Sequence, residues 1–290
     1  MGLARQIRRL RKGKEVPAAR KRRKALIEPL EPRLLLDADL SFGMTADADD
    51  LTLKLGKVGD VDELQFVNTD TSVILDRLAL SGSKEVEIIG SDQDDVLRLD
   101  FDFDSLLESL SIVFQGGTGF DTLDFSGIET DLAFVATQSG DVIVTDGEYT
   151  SNGDGTVSIA GGTSSTTGSG VENLVGGEGD ATYVFEDGAS LAGTIDAGSG
   201  ANNTLDYSAY SISNPVVVDL SSGIATGTGG LSRIHNVIGG SGDDTLTGSD
   251  EDNILSGGPG NDTLMGGAGN DTLDGGGGTD AVVYRFEGLG

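Results

Sequence analysis

A nine-residue phrase that returns five times between Gly239 and Val283 restricts the possible folds of this chain more than any other feature. The consecutive units are GGSGDDTLT (239–247), GSDEDNILS (248–256), GGPGNDTLM (257–265), GGAGNDTLD (266–274) and GGGGTDAVV (275–283). Their shared pattern is Gly-Gly-x-Gly-x-Asp-x-apolar-x. A flexible linker has no need for a fixed period, so the repetition indicates units that stack on one another.

Stacking gives each position of the phrase a place in the fold. About six residues of turn and three of strand cannot bury a core alone, so the units must share one. The eighth residues would form a narrow apolar ladder of Leu246, Leu255, Leu264, Leu273 and Val282. Two units complete a coil of eighteen residues, so alternate turns should stack on the same side. One edge would carry Asp244, Asp262 and Asp280, and the other Asn253 and Asp271.

The residue types of the turns indicate an oxygen-ligated cation. Glycine allows positive φ, so that a turn can direct its carbonyl oxygens to one point. Carboxylates and carbonyls suit a hard ion such as Ca²⁺. Zinc and copper favour His or Cys ligands, but the chain has a single His and no Cys. We expect three Ca²⁺ sites, at Asp244/Asp262, Asp262/Asp280 and Asn253/Asp271. The glycines expected to contribute to them are Gly240, Gly242, Gly258, Gly260, Gly267, Gly269, Gly276 and Gly278.

The phrase resembles the calcium-binding nonapeptide of repeats-in-toxin (hemolysin-type) proteins. The resemblance implies a parallel β-roll that holds Ca²⁺, and export by a type I pathway in an unfolded state. The second unit departs from the pattern, with Ser249-Asp250 in place of the usual glycine and Asn253 in place of aspartate. The family's long C-terminal secretion signal is not visible in residues 284–290, so we expect the chain to be the N-terminal part of a longer repeat protein.

Two simpler interpretations of the repeat remain. A disordered Gly/Asp-rich linker would not need the apolar ladder. A phosphate-binding loop would want a nearby Lys and no carboxylates.

The preceding segment, residues 40–237, carries ten short β-branched or aliphatic runs, from TLKL to PVVVDL, separated by Gly, Asp, Asn or Ser. Helical periodicity is nearly absent, and Asp104–Leu110 is the one candidate helix. Partial copies of the phrase at Gly90–Leu97 and Gly116–Leu123 favour a degenerate β-solenoid. A β-sandwich is the competing prediction. An aromatic content of only 5% predicts a thin, aliphatic core.

The aspartates of these partial copies, Asp95 and Asp121, lack the regular neighbours of the C-terminal units. We interpret them as plain turn residues rather than as ligands.

Charge is segregated along the chain. Residues 1–36 hold twelve Lys/Arg and three Glu, whereas the remainder holds seven Lys/Arg and 45 Asp/Glu. The strong negative charge of the residues after position 36 repels nucleic acid and anionic membranes and attracts cations. Leu30–Leu36, LEPRLLL, resembles the LEPR-XLL motif near the N-termini of large, repeat-rich bacterial surface and exported proteins, which implies a sorting role. We expect a disordered basic N-terminus; binding of nucleic acid or an anionic surface through residues 1–25 is the alternative.

The sequence thus predicts an all-β chain with four parts. These are a basic sorting segment (1–39), a degenerate β-solenoid (40–237), a regular calcium-binding β-roll (238–283) and a tail (284–290). No apolar run approaches the roughly 18 residues that span a bilayer. No His-Glu-x-x-His, Gly-x-Ser-x-Gly or phosphate-loop motif occurs, and His235 is interpreted as structural, so we expect no catalytic residues.

The predicted function is a calcium-binding, exported or cell-surface structural or adhesive protein that folds on binding Ca²⁺. Its partners would be calcium ions and a host or neighbouring-cell surface, with no nucleic acid. The alternative is a secreted hydrolase that uses the repeats as a folding and export aid.

Overall fold

Short β-strands alternate with turns along the chain. The structure is a computed structural model that describes residues 40–45, 49–59, 61–82, 84–102, 110–152, 154–160 and 165–284. In chain order, the strands in these ranges are β1 (Leu40–Gly43), β2 (Asp50–Val58), β3 (Val61–Asn68), β4 (Val73–Ala79), β5 (Lys84–Ile89), β6 (Val96–Asp100), β7 (Leu110–Gln115), β8 (Thr122–Asp124), β9 (Leu132–Ala136), β10 (Val142–Thr145), β11 (Glu148–Ser151), β12 (Val157–Ala160), β13 (Ser165–Ser169), β14 (Asn173–Val175), β15 (Ala181–Phe185), β16 (Leu191–Asp196), β17 (Thr204–Asp206), β18 (Val217–Asp219), β19 (Ile224–Ala225), β20 (Thr228–Ser232), β21 (Asn236–Ile238), β22 (Thr245–Thr247), β23 (Ile254–Ser256), β24 (Thr263–Met265), β25 (Thr272–Asp274) and β26 (Ala281–Val282).

Helices do not occur in these ranges, and none there could therefore cross a membrane. The candidate helix Asp104–Leu110 lies almost wholly outside the described residues; Leu110 itself begins β7. The predicted sorting segment and its LEPR-XLL-like motif also lie outside them.

The strands form three main sheets and a small hairpin. The longest sheet has the order β1-β5-β7-β13-β10-β9-β15-β17-β21-β23-β25. The others have the orders β20-β16-β14-β8-β6-β2-β3-β4 and β19-β18-β22-β24-β26, and β11 pairs with β12. Each coil contributes one strand to the long sheet and one to another sheet, so that β21 and β23 lie in the long sheet and β22 and β24 in the five-stranded one. The described part of the chain is therefore a β-solenoid.

Parallel pairing dominates the stack. Parallel ladders run from β1 through β5 and β7 to β13, and from β15 through β17, β21 and β23 to β25. Antiparallel pairs occur at β9–β10–β13, where the β9–β10 hairpin is inserted, at β2–β3–β4, at β11–β12 and at β18–β19. A β-sandwich would be built from antiparallel strands throughout, so the competing β-sandwich prediction for residues 40–237 is wrong.

The coil length is irregular upstream and constant downstream. The backbone N–H of Asp95 donates a hydrogen bond to Asp121, which lies 26 residues later in the sequence, and that of Ala181 donates to Asn203, which lies 22 residues later. From Asp244 onward the offset is 18 residues. The predicted eighteen-residue coil is present in this C-terminal part, which we call the regular roll (residues 236–283).

Aromatic side chains take part in the upstream core beside the aliphatic residues that the sequence predicts there. Phe134 stacks on Tyr183 with ring centroids 4.6 Å apart, and Phe185 stacks on Tyr207 at 5.2 Å. Phe125 meets the edge of Phe134. Aromatic residues are few in the whole chain, but these coils are longer than eighteen residues and have room for rings. The average composition of the chain therefore concealed the local concentration of aromatic residues in the upstream coils.

The regular roll has an aliphatic core, built as two facing ladders rather than one. Leu246, Leu264 and Val282 are neighbours on β22, β24 and β26, whereas Leu255 and Leu273 are neighbours on β23 and β25. Leu246, Leu255 and Leu264 are fully buried. Leu273 is partly buried and Val282 is 43% exposed, since no described strand packs beyond them.

Candidate metal centre

The sixth residues of the repeats meet across the stack as predicted. The backbone N–H of Asp244 donates to Oδ1 of Asp262 at 2.8 Å, and that of Asp262 donates to Oδ1 of Asp280 at 3.0 Å. On the opposite edge, the N–H of Asn253 donates to Oδ1 of Asp271 at 3.0 Å. Each carboxylate thereby fixes the turn of the preceding coil at the point where its strand begins.

The second carboxylate oxygen has different surroundings in each coil. Oδ2 of Asp244 accepts from the N–H of Gly240 at 2.7 Å. Oδ2 of Asp262 is buried and has no hydrogen-bond partner in the described part of the chain. Asp244, Asn253 and Asp262 are each only 1% exposed, whereas Asp271 is half-buried and Asp280 exposed. A buried carboxylate oxygen without a donor is unfavourable by itself, and a bound cation would stabilise it.

The glycines bring carbonyl oxygens to the same turns. Gly260 and Gly269 have φ of +149° and +103°, a conformation that glycine adopts freely. A Cβ on Gly269 would lie 2.7 Å from the carbonyl oxygen of Glu251, and one on Gly260 would overlap that of Gly242. The same relation joins Gly258 to Gly240, Gly267 to Ser249, Gly276 to Gly258 and Gly278 to Gly260. The space that a side chain would fill is thus lined by carbonyl oxygens.

The first turn of the roll is different on its upstream side. Gly240 and Gly242 have no positive φ. A Cβ on Gly240 would meet Tyr210, and one on Gly242 would meet Pro215. Their carbonyl oxygens face Gly258 and Gly260, so these two glycines take part in the stack only on its downstream side.

Burial and neighbouring charge disfavour the ionised carboxylates of Asp244 and Asp262. Burial raises the pKa of Asp262; the N–H of Asp244 acts in the opposite direction, and the charges of Asp280 and Asp243 raise it further. Burial likewise raises the pKa of Asp244, against hydrogen bonds from the N–H groups of Val216 and Gly240. A cation between the turns would reverse this penalty.

The donor set fits a hard cation that accepts many oxygen ligands. No three His, Cys, Asp or Glu side chains among the described residues are grouped so as to hold a metal by themselves. Ligation must therefore combine one or two carboxylates with backbone carbonyls, which is a mixture that Ca²⁺ accepts. The buried free oxygen of Asp262 and the carbonyl-lined turns agree with this ion.

A second ladder on the outer side of the turns was not predicted. The N–H of Asn261 donates to Oδ1 of Asp243 at 2.8 Å, and that of Asn270 donates to Oδ1 of Asp252 at 2.7 Å. The N–H of Thr279 donates to Oδ1 of Asn261 at 3.0 Å. The signal was in the sequence, because four of the five units carry Asp or Asn at the fifth place. These side chains are exposed, and their hydrogen bonds hold the turns in register.

A family model for the RTX calcium-binding nonapeptide repeat matches residues 236–264 and 256–283, with four copies. Residues 236–283 are RTX calcium-binding repeats. The RTX match begins at residue 236 and does not include the upstream coils. No curated protein matches the chain. Calcium is therefore the ion of the RTX repeats.

Proposed function

We propose that Ca²⁺ binds between successive turns of the RTX roll, where the sixth-position side chains meet glycine-turn carbonyls. The three proposed sites lie at Asp244/Asp262, Asp262/Asp280 and Asn253/Asp271. The observation that carries the proposal is the buried, unpartnered Oδ2 of Asp262. The carbonyl oxygens of Gly240 and Gly242 line the space beside Gly258 and Gly260, and they would complete the ligand set together with those of the later turns.

We further propose that binding and folding of the roll are one event. Adjacent coils lie about 4.8 Å apart, well inside the Debye length of about 8 Å at physiological salt. Salt therefore screens neighbouring carboxylates poorly, and a metal-free roll is opposed by its own charge. The ligands converge only when the turns stack, so the free energy of binding becomes free energy of folding.

Export follows as part of the same proposal. Extracellular calcium modules often have dissociation constants of about 10⁻⁴–10⁻³ M. A roll of that affinity would stay unfolded in a low-calcium cytosol and would fold outside the cell. We propose a secreted or cell-surface protein with a structural or adhesive role, whose partner is a host or neighbouring-cell surface.

Calcium titration of the full chain, followed by far-ultraviolet circular dichroism, tests the binding proposal. We expect β signal to increase over the millimolar range with Ca²⁺ and not with Mg²⁺. Asp262→Asn keeps an oxygen for the N–H of Asp244 but removes a charge from two of the proposed sites, so its midpoint should rise. Asp250→Asn removes a charge from an exposed side chain of the roll and serves as the control. Equal midpoints for the two variants would contradict the site assignment.

We propose no catalytic role for the described residues. His235 is the one histidine of the chain, and its Nδ1 is buried without a hydrogen-bond partner among the described residues. Its Nε2 lies 3.4 Å from Oε2 of Glu251 in a cleft of about 500 Å³. The unpartnered nitrogen gives no sign of the oriented nucleophile–base pair that hydrolysis uses. Hydrolysis of ester, glycoside or peptide substrates that His235→Gln abolishes would overturn this.

The adhesive role needs a separate test. Calcium-loaded protein should bind to cells or surface polysaccharide, and chelation should release it. A truncation lacking residues 1–25 should bind equally well. Loss of binding on that truncation, or binding to nucleic acid by the full chain, would instead favour the basic N-terminus as the interaction site.

A further inference from the structure

The turn pair Gly90–Asp95 and Gly116–Asp121 lies more than a hundred residues upstream of the RTX roll, yet it repeats the contacts of one of the roll's own turn pairs. The N–H of Asp95 donates to Oδ1 of Asp121 at 2.9 Å, as the N–H of Asn253 does to Oδ1 of Asp271 at 3.0 Å. The N–H of Phe120 donates to Oδ1 of Asp94 at 2.9 Å, which reproduces the outer ladder. Both ladders of the roll are thus present here.

The internal geometry of the two first turns also agrees. The N–H of Ser91 donates to Oδ2 of Asp95 at 2.5 Å, and the N–H of Gln93 donates to Oγ of Ser91 at 3.1 Å. In the roll, the N–H of Ser249 donates to Oδ1 of Asn253 at 2.6 Å, and the N–H of Glu251 to Oγ of Ser249 at 3.2 Å.

The carbonyl-lined space is present as well. Gly117 and Gly119 have φ of +104° and +141°. A Cβ on Gly117 would lie 2.7 Å from the carbonyl oxygen of Ser91, and one on Gly119 would lie 2.6 Å from that of Gln93. These are the positions that Gly267 and Gly269 occupy in the roll. Two backbone carbonyls therefore line the side-chain space of two positive-φ glycines in this pair too.

A buried oxygen without a donor marks this pair as a site rather than a plain turn. Asp121 is fully buried, and its Oδ2 has no hydrogen-bond partner among the described residues, like that of Asp262. A buried carboxylate oxygen that accepts no hydrogen bond is unfavourable when ionised, and a bound cation would stabilise it.

We propose that this upstream turn pair holds a further Ca²⁺ ion, with ligands from Oδ2 of Asp121 and the carbonyl oxygens of Ser91 and Gln93. The inference rests on the proposed function of the roll, since the ion is the same. It reverses our interpretation of Asp95 and Asp121 as plain turn residues. The coil here spans 26 residues rather than 18, so a nonapeptide period cannot reveal the site, which appears only when the turns are stacked in space.

Calcium stoichiometry of the full chain, measured by equilibrium dialysis, tests the proposal. Asp121→Asn keeps the acceptor for the N–H of Asp95 and replaces the free oxygen, so it should bind one ion fewer than wild type. Asp92→Asn removes the same charge from an exposed side chain of the same turn and should bind the wild-type number. Unchanged stoichiometry in Asp121→Asn would overturn the upstream site alone. A wild-type chain that binds no calcium would overturn the roll sites as well.

A local probe covers the case in which Asp121→Asn does not fold. The chain has no Trp, and Phe120 is exposed beside the site. In Phe120→Trp, excitation of the single tryptophan should sensitise luminescence of bound Tb³⁺, and excess Ca²⁺ should displace it. The signal should persist when Asp262→Asn is added to Phe120→Trp, because the roll is distant in sequence and its sites are separate. Absence of sensitised luminescence in Phe120→Trp would refute the upstream site.

Discussion

Replacing Gly260 by alanine should damage the RTX roll much more than replacing Gly277, although both lie in turns of the same stack. Gly260 has φ +149°, and an added Cβ would overlap the carbonyl oxygen of Gly242 in the preceding coil. Gly277 has no positive φ, and its Cβ would meet no atom within 4 Å. The two substitutions therefore add the same methyl group, one in a filled position and one in open space.

The cost at Gly260 has two parts. A residue other than glycine held at such a φ costs about 1–3 kcal/mol, and overpacking against a neighbour costs about 1–3 kcal/mol more. The neighbour cannot withdraw freely, because Gly242 lies against Pro215. The sum of about 2–6 kcal/mol would be shared by the three calcium ions proposed to bind on folding. Since about 1.4 kcal/mol is a factor of ten in an equilibrium constant, the calcium midpoint should rise between about 3-fold and 30-fold.

Calcium titrations of wild type, Gly260→Ala and Gly277→Ala by circular dichroism measure this shift. We expect Gly277→Ala to stay within about twofold of wild type, because exposed substitutions away from special backbone positions change stability little. Equal midpoints for wild type and Gly260→Ala would refute the argument that carbonyl-lined glycine positions hold the stack together. So would a shift of the same size in Gly277→Ala.

Three other perturbations separate the contributions to the fold. Leu264→Ala should lower the free energy of unfolding of the calcium-loaded protein by about 2–5 kcal/mol, because it empties a buried position of the ladder. Val282→Ala should lower it by less than about 0.5 kcal/mol. Urea unfolding in excess calcium measures both. Arg98→Gln should lower the free energy of unfolding by about 1–3 kcal/mol in the same assay. The reason is that Nε and a terminal nitrogen of Arg98 both contact Oδ2 of the buried Asp124. An unchanged free energy of unfolding would show that the pair does not stabilise the fold. Removal of calcium by a chelator should abolish the protection of backbone amides from hydrogen exchange in residues 236–283 before it does so in β5–β8. Simultaneous loss of protection would contradict separate stabilities for the two regions.

The sequence predicted the regular roll in detail because its signal is local and periodic. The positions of Asp244 and Asp262 on one edge, and the eighteen-residue coil, followed from counting. The surroundings of the first turn could not be predicted in this way. Tyr210 and Pro215 belong to an irregular coil, and only the folded structure brings them next to Gly240 and Gly242. Local period carries no information about such long-range packing.

The upstream solenoid shows the same limit more strongly. The ten short runs correctly indicated strands, but the inserted β9–β10 hairpin and the aromatic stack around Phe134 depend on pairing between distant segments. Composition averaged over the chain concealed these rings. The turns at Asp95 and Asp121 were recognised as partial copies but interpreted as plain turns for a related reason, because their 26-residue coil breaks the nine-residue period while the contacts between the turns are kept.

These differences divide the solenoid into regions held by different forces. Upstream coils bury stacked rings such as Phe134 and Tyr183, whose contribution does not depend on a metal. Each three-residue strand of the roll buries a single aliphatic side chain, such as Leu255 or Leu264, beside turns that carry buried acid. That small apolar gain must offset both the ordering of glycine-rich turns and the repulsion of their carboxylates. Dependence on calcium should therefore increase toward the C-terminus, and loss of the upstream ion should leave its surrounding coils folded.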